Sequence, residues 1–205
     1  MYLVDKAKGE AKAKLLLAHG AGSGMHSDFM QQIAALIAAQ GFDVYRFDFP
    51  YMQRAMQEGK RRPPDPMAKL EAAFMEAIAQ LPKALSLFIG GKSMGGRVAS
   101  MLLEQTQAKG AICLGYPFHP PGKPDKLRTE HLRKARKPML IIQGERDTFG
   151  NQQEVGAYDL APCIEVKFLA DGDHSFKPRK ASGFTQEQHM QQAALWAAAF
   201  MEKNR

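Results

Sequence analysis

Ser93 stands in Gly90-Gly91-Lys92-Ser93-Met94-Gly95-Gly96, which contains the pattern G-x-S-x-G. An apolar run, Leu85-Ser86-Leu87-Phe88-Ile89, precedes it, and an amphipathic stretch follows. Between a strand and a helix, this pattern makes a turn so sharp that only glycine fits at the flanks, and the serine hydroxyl is held out over a sheet edge. Two other readings compete. Gly91-Lys92-Ser93 resembles the end of a phosphate-binding P-loop, but that motif needs a glycine at 86, which is serine. Residues 87–89 are Leu, Phe and Ile, which suit a buried strand and not a phosphate cradle. A Gly-rich turn without chemistry is the other, so the partners of Ser93 must decide.

A serine hydroxyl is a weak nucleophile at neutral pH and needs a base, which in turn needs a carboxylate to fix its tautomer. His174 follows the last strand-like run, and Asp147 follows the run before it. Glu145 is a neighbouring acid. Asp171 and Asp173 lie too close to His174 in sequence to orient it and suit turn-making instead. A third segment, His19-Gly20-Ala21-Gly22-Ser23-Gly24, can bring backbone N–H groups close to a substrate. Its rival reading as a dinucleotide loop, G-x-G-x-x-G, fails because the third glycine falls one residue early. His19 itself suits a structural role, holding that loop by a hydrogen bond.

These residues need a scaffold that gathers strand ends. Short apolar runs at 14–18, 44–47, 85–89, 111–114, 139–142 and 164–169 read as strands. Between them lie helical patterns. Ser27 can cap a helix with Phe29, Ile33, Leu36 and Ile37 on one face, ending near Gly41. Asp65 and Pro66 start another, carrying Leu70, Phe74, Ala77, Ile78 and Leu81. The helix after Ser93 turns Val98, Met101 and Leu102 inward, and the last begins near Thr185 with Gln188 completing a capping box. Residues 51–65 read as a long polar loop. The pattern predicts an α/β fold: a three-layer α/β/α sandwich on a mostly parallel sheet of about six or seven strands, in one domain over 1–205 without a separate lid. Ligands of such sheets bind beyond the carboxyl ends of the strands, where each candidate lies.

Taken together, His19 to Gly24, Gly91 to Gly95, Gly144 to Asp147 and Asp173-His174-Ser175-Phe176 resemble the α/β-hydrolases, in particular the small, lidless dienelactone-hydrolase-like type. The resemblance covers about residues 14 to 200. It implies the chain order Ser, Asp, His, with Ser93 as nucleophile, His174 as base and Asp147 as its orienting acid. The G-x-x-D form of Gly144-Glu145-Arg146-Asp147 favours Asp147 over Glu145. It also implies an oxyanion hole from the N–H groups of Ala21 and Met94. His19, Gly22, Lys92, Arg97, Tyr116 and His119 are candidate pocket residues. Gly115 to Pro124 is similar, more narrowly, to a subgroup related to testis-expressed and chromatin-complex hydrolase-like proteins. With the first clear strand at Lys14, one or two antiparallel edge strands of the larger family are expected to be missing.

The implied function is a serine hydrolase acting on a small-molecule ester or thioester through an acyl-enzyme, with no metal or organic cofactor. Lys92 and Arg97 hint at an anionic substrate. The alternative is a catalytically silent binding module on the same fold. The chain has 205 residues, 45% hydrophobic, with net charge +7. Seven of its basic residues crowd Lys123 to Lys137 and suit a solvated face; nucleic-acid contact is the lesser reading, since no interleaved aromatics accompany them. No apolar run nears the roughly 20 residues that span a bilayer, so no membrane partner is expected. The N-terminus lacks a signal core, and a cytoplasmic protein is the default. Cys113 and Cys163 read as buried thiols in strand-like settings, not a disulfide.

Overall fold

The computed structural model describes residues 2–205. Seven strands form one sheet: β1 Leu3–Asp5, β2 Lys14–Ala18, β3 Asp43–Phe47, β4 Leu87–Lys92, β5 Ala111–Leu114, β6 Met139–Gly144 and β7 Ile164–Leu169, in spatial order β1-β3-β2-β4-β5-β6-β7. All pairs are parallel except β1 with β3, where Leu3 lies opposite Arg46. An antiparallel edge strand is therefore present, short and pinned by its charges. Arg46 Nε donates to Asp5 at 2.9 Å, and Lys6 Nζ reaches Asp43 at 2.9 Å.

Alternation along the strands divides the core into two layers. Leu16, Ala18, Tyr45, Phe47 and Ile89 face one side, against Leu70 and Phe74 of α3 (Met67–Ala79) and Val98 and Ala99 of α4 (Met94–Leu102). Leu15, Leu17, Val44, Phe88 and Ile112 face the other, against Ile33 of α1 (Asp28–Ala38) and Met190, Ala193 and Ala197 of α7 (Gln186–Asn204). Because strands β2 to β6 are covered on both faces, they read as unbroken apolar runs.

Several local expectations change. Residues 51–65 are not a continuous loop: α2 runs Pro50–Glu58, with proline at its first turn and Gly59 in the left-handed conformation at its end. Two short helices, α5 (Glu130–Arg133) and α6 (Gln152–Gly156), have no strong periodicity. Met101 is half-buried, and the inward face of α4 carries Val98, Ala99 and Leu102. Ser27 stands at the N-cap of α1 without a side-chain cap bond, whereas the capping box of Thr185 and Gln188 forms. Both cysteines are free; Cys113 is buried in β5, but Cys163 precedes β7 and is half-buried. Among the described residues no helix is long and apolar enough to cross a membrane.

Candidate active site

Ser93 occupies the single residue between β4 and α4, at φ 50° and ψ −115°. The chain reverses so tightly that a Cβ on Gly91 would lie 2.5 Å from the Gly95 carbonyl carbon. One on Gly95 would lie 2.5 Å from the Ala18 oxygen. Both flanks are thus closed to any side chain, and the serine N–H is fixed by donating to Leu114 O at 2.9 Å.

The structure brings Ser93, His174 and Asp147 together. His174 Nε2 is 2.9 Å from Ser93 Oγ, and His174 Nδ1 is 2.7 Å from Asp147 Oδ2. An ionised carboxylate only accepts, so Nδ1 carries the proton and Nε2 faces the hydroxyl as acceptor. Asp147 is fully buried and held on both oxygens: Phe149 N–H donates to Oδ1 at 2.8 Å, and Gln143 Nε2 donates to Oδ2 at 3.0 Å. Gln143, itself fully buried, also accepts from Tyr116 N–H at 2.8 Å, tying the ends of β5 and β6 together. The Phe149 ring stacks on the imidazole at 4.2 Å between centroids. Neither Gln143 nor Phe149 stands out in the sequence.

The His174 loop is built by its acids. Asp173 Oδ1 accepts from Ser175 N at 2.8 Å and Lys177 N at 2.9 Å. Asp171 pairs with Arg179, which holds its carboxyl down at about 2. These are turn-making roles, as their closeness to His174 suggests. Gly144 lets this turn come close: a Cβ there would collide with the backbone of Gly172 and Asp173. Lys92 fastens the loop from below, its Nζ donating to His174 O at 2.7 Å. Its ammonium lies near the rings of Phe29 and Phe176, and burial pushes its pKa down to about 8.

The His19–Gly24 loop passes beside Ser93, with the Gly20 Cβ position 3.6 Å from Ser93 Cβ. His19 is fully buried; its Nδ1–H donates to Gly20 O at 2.7 Å, and its Nε2 accepts from Phe49 N–H at 3.0 Å. Both nitrogens are engaged, and burial lowers its pKa, so it serves the loop and not the chemistry. Tyr51, on α2, donates to Ala21 O at 2.9 Å. It was hidden within the segment read as a loop, although Pro50 at a helix start was available as a signal. The N–H groups of Ala21 and Met94 have no backbone acceptor among the described residues.

Two cavities meet at Ser93, sharing Ala21 and Phe149 as walls. The larger, about 550 Å³, is lined by Gly22, Phe29, Lys92 and His174. The smaller, about 340 Å³, is lined by Met67, Met94, Arg97 and Arg128. Tyr116 and His119 line neither. Tyr116 is fully buried with its hydroxyl donating to Arg128 O at 2.9 Å, and His119 Nδ1 bonds Pro120 O at 2.9 Å. A second serine–histidine contact, Ser100 Oγ to His131 Nε2 at 2.8 Å, stitches α4 to α5. Ser100 is buried and donates its proton to Arg97 O at 2.7 Å, which leaves Nε2–H of His131 as the donor. Much of the charge of the basic 123–137 stretch is engaged within the protein. Arg133 pairs with Asp159, Lys134 with Glu130, and Lys137 Nζ caps the carbonyls of Leu103, Thr106 and Ala108.

The whole architecture recurs in solved structures of low sequence identity. The Est1E protein of Butyrivibrio proteoclasticus, solved with ferulic acid bound, is 15% identical, with a TM-score of 0.71 over 100% of this chain and 94% of that one. A dienelactone hydrolase from Anabaena variabilis is 16% identical at TM-score 0.71, over 99% and 91%. A monoacylglycerol lipase from Paleococcus ferrophilus is 12% identical at TM-score 0.72, over 98% of both chains. A family model described as an alpha/beta hydrolase domain matches residues 11–202, nearly the full length. By that match and by its fold, the chain belongs to the alpha/beta hydrolase family.

Proposed function

We propose that this hydrolase is a serine esterase or thioesterase acting on small acyl substrates, with Ser93 as nucleophile, His174 as base and Asp147 as orienting acid. The observation that carries the reading is the unbroken hydrogen-bonded chain from Ser93 Oγ through His174 to buried Asp147, at 2.9 and 2.7 Å, opening onto two cavities. In this mechanism Ser93 Oγ bonds to the acyl carbon as its proton passes to His174 Nε2. The N–H groups of Ala21 and Met94 receive the developing oxyanion, and Asp147 stabilises the imidazolium. The imidazolium then protonates the departing alcohol or thiol as the acyl bond breaks. Water, deprotonated by His174, attacks the acyl-serine and releases the acid. The structural likeness to a dienelactone hydrolase and a monoacylglycerol lipase accords with this reading. The reading takes the chain as one catalytic domain located in the cytoplasm, whose substrate is neither membrane nor nucleic acid. The sequence likeness of Gly115 to Pro124 is the sole support for the narrower subgroup related to testis-expressed and chromatin-complex hydrolase-like proteins.

A fluorophosphonate probe tests the assignment. Labelling of the wild type that disappears in Ser93→Ala and persists in Ser100→Ala is the expected result. Labelling that survives in Ser93→Ala would move the nucleophile to another serine and overturn the assignment, and no labelling of folded wild type would overturn it in favour of the silent binding module.

A further inference from the structure

Arg97 and Arg128 stand together in the wall of the smaller cavity, and neither has an acidic partner within ion-pair distance among the described residues. Arg97 lies one helical turn beyond Ser93 on α4, and its Nε is buried without any hydrogen-bond acceptor. Arg128 has its backbone tied down: its N–H donates to Phe118 O at 2.7 Å and its carbonyl accepts from Tyr116. Burial and the charge of Arg97 both press its pKa below the usual guanidinium range. The one acid in the same wall, Asp65, is already held, since Arg54 Nη2 reaches both its oxygens at 2.7 and 2.9 Å. Two partly buried cations that repel each other, one with an unfilled donor, are unfavourable alone and favourable around an anion. The planar forks of guanidinium suit a carboxylate.

The direction of the site says which part of a substrate carries that anion. His174 must protonate the departing group, and His174 lines the larger cavity, so the acyl chain enters the smaller one past Met94. Met67, Leu70 and Pro117 add apolar walls to the cavity that Ser93 and the two arginines share. We propose that Arg97 and Arg128 bind the free carboxylate of the acyl group, so that the substrates are monoesters or monothioesters of short aliphatic dicarboxylic acids. This rests on the serine-hydrolase reading above. The smaller cavity, at about 340 Å³, has room for a short aliphatic diacid and not for a long acyl chain. The reaction takes up one water. The acyl C–O or C–S bond breaks, the alcohol or thiol leaves with the proton relayed by His174, and the dicarboxylate is the second product.

Proton release during turnover of monoethyl glutarate and monoethyl adipate, set against ethyl pentanoate and ethyl hexanoate, tests the proposal. The expected kcat/KM ratio of charged to neutral ester is about tenfold or more in the wild type, and it falls by about tenfold in Arg97→Gln and in Arg128→Gln. Calorimetric titration with glutarate reads the same subsite without turnover, and either variant is expected to weaken that binding by a similar factor. A wild-type preference for the neutral esters, a ratio unchanged in both variants, or no glutarate binding would each overturn the proposal. If no ester is turned over and the fluorophosphonate fails to label, the hydrolase reading falls by itself. The titration then still decides whether the arginine pair holds a carboxylate.

Discussion

Lys92 carries its charge where water is scarce. Its ammonium is held between the His174 carbonyl and two aromatic rings, and burial sets its pKa near 8, below its ordinary 10.5. Below pH 8 the lysine is protonated in both folded and unfolded chains. Between 8 and 10.5 the unfolded chain binds the extra proton, so the Lys92 contribution to stability rises with pH across that window. The full rise is at most about 3 kcal/mol at 1.36 kcal/mol per unit. Wild type is therefore expected to gain melting temperature relative to Lys92→Met from pH 8 to 10.5, as followed by calorimetry. Parallel curves for the two proteins would contradict it. At this scale the sequence reveals much. Ser93, Asp147 and His174 are legible because each sits in a short motif just after a strand. Gln143 and Phe149 are not, because their roles depend on the register of β5 against β6 and on a loop's path. His19 begins the loop that passes beside Ser93, but its two hydrogen bonds assign it to holding that loop.

The elements meet at the site through close backbone approaches. The end of β6 and the turn after β7 touch where Gly144 faces Gly172 and Asp173, and this seam sets the distance between Asp147 and His174. Gly144→Ala must push the turn outward, because the new Cβ would lie 2.7 Å from the Gly172 carbonyl carbon. We expect the fluorophosphonate labelling rate to drop by about tenfold or more, with stability lowered by about 1–3 kcal/mol. Gly156→Ala, where no neighbouring element lies within 4 Å of the added carbon, is the matched control and should label at the wild-type rate with stability unchanged or raised by up to about 1 kcal/mol. The strands and long helices were readable from apolar runs and periodicity. Helix α2 is harder to read, because Tyr51 is its only buried residue and the helically spaced Met52, Ala55 and Met56 stand in a polar segment; Pro50 and Gly59 mark its ends. The β1 strand escaped because three residues pinned by ion pairs leave no pattern.

Across the molecule, the candidate groups come from the ends of β2, β4, β6 and β7, which span most of the sequence and lie within the continuous run β2-β4-β5-β6-β7 of the sheet. The loops therefore hold their geometry only while the sheet is intact. That dependence gives the backbone of Ser93 a global meaning. At φ 50° and ψ −115° it occupies a conformation that a residue with a Cβ adopts at a cost of about 1–3 kcal/mol. The rest of the fold carries this as strain, so the native state is less stable than its packing alone would make it. Ser93→Ala keeps the Cβ and the strain, whereas Ser93→Gly releases it and gives back only about 0.4–1 kcal/mol through a freer unfolded chain. For a protein of this size the glycine variant is expected to melt about 2–4 °C above the alanine variant. Equal melting temperatures would mean that the turn is relaxed. A higher one would show how much thermal stability the fold gives up to present this hydroxyl.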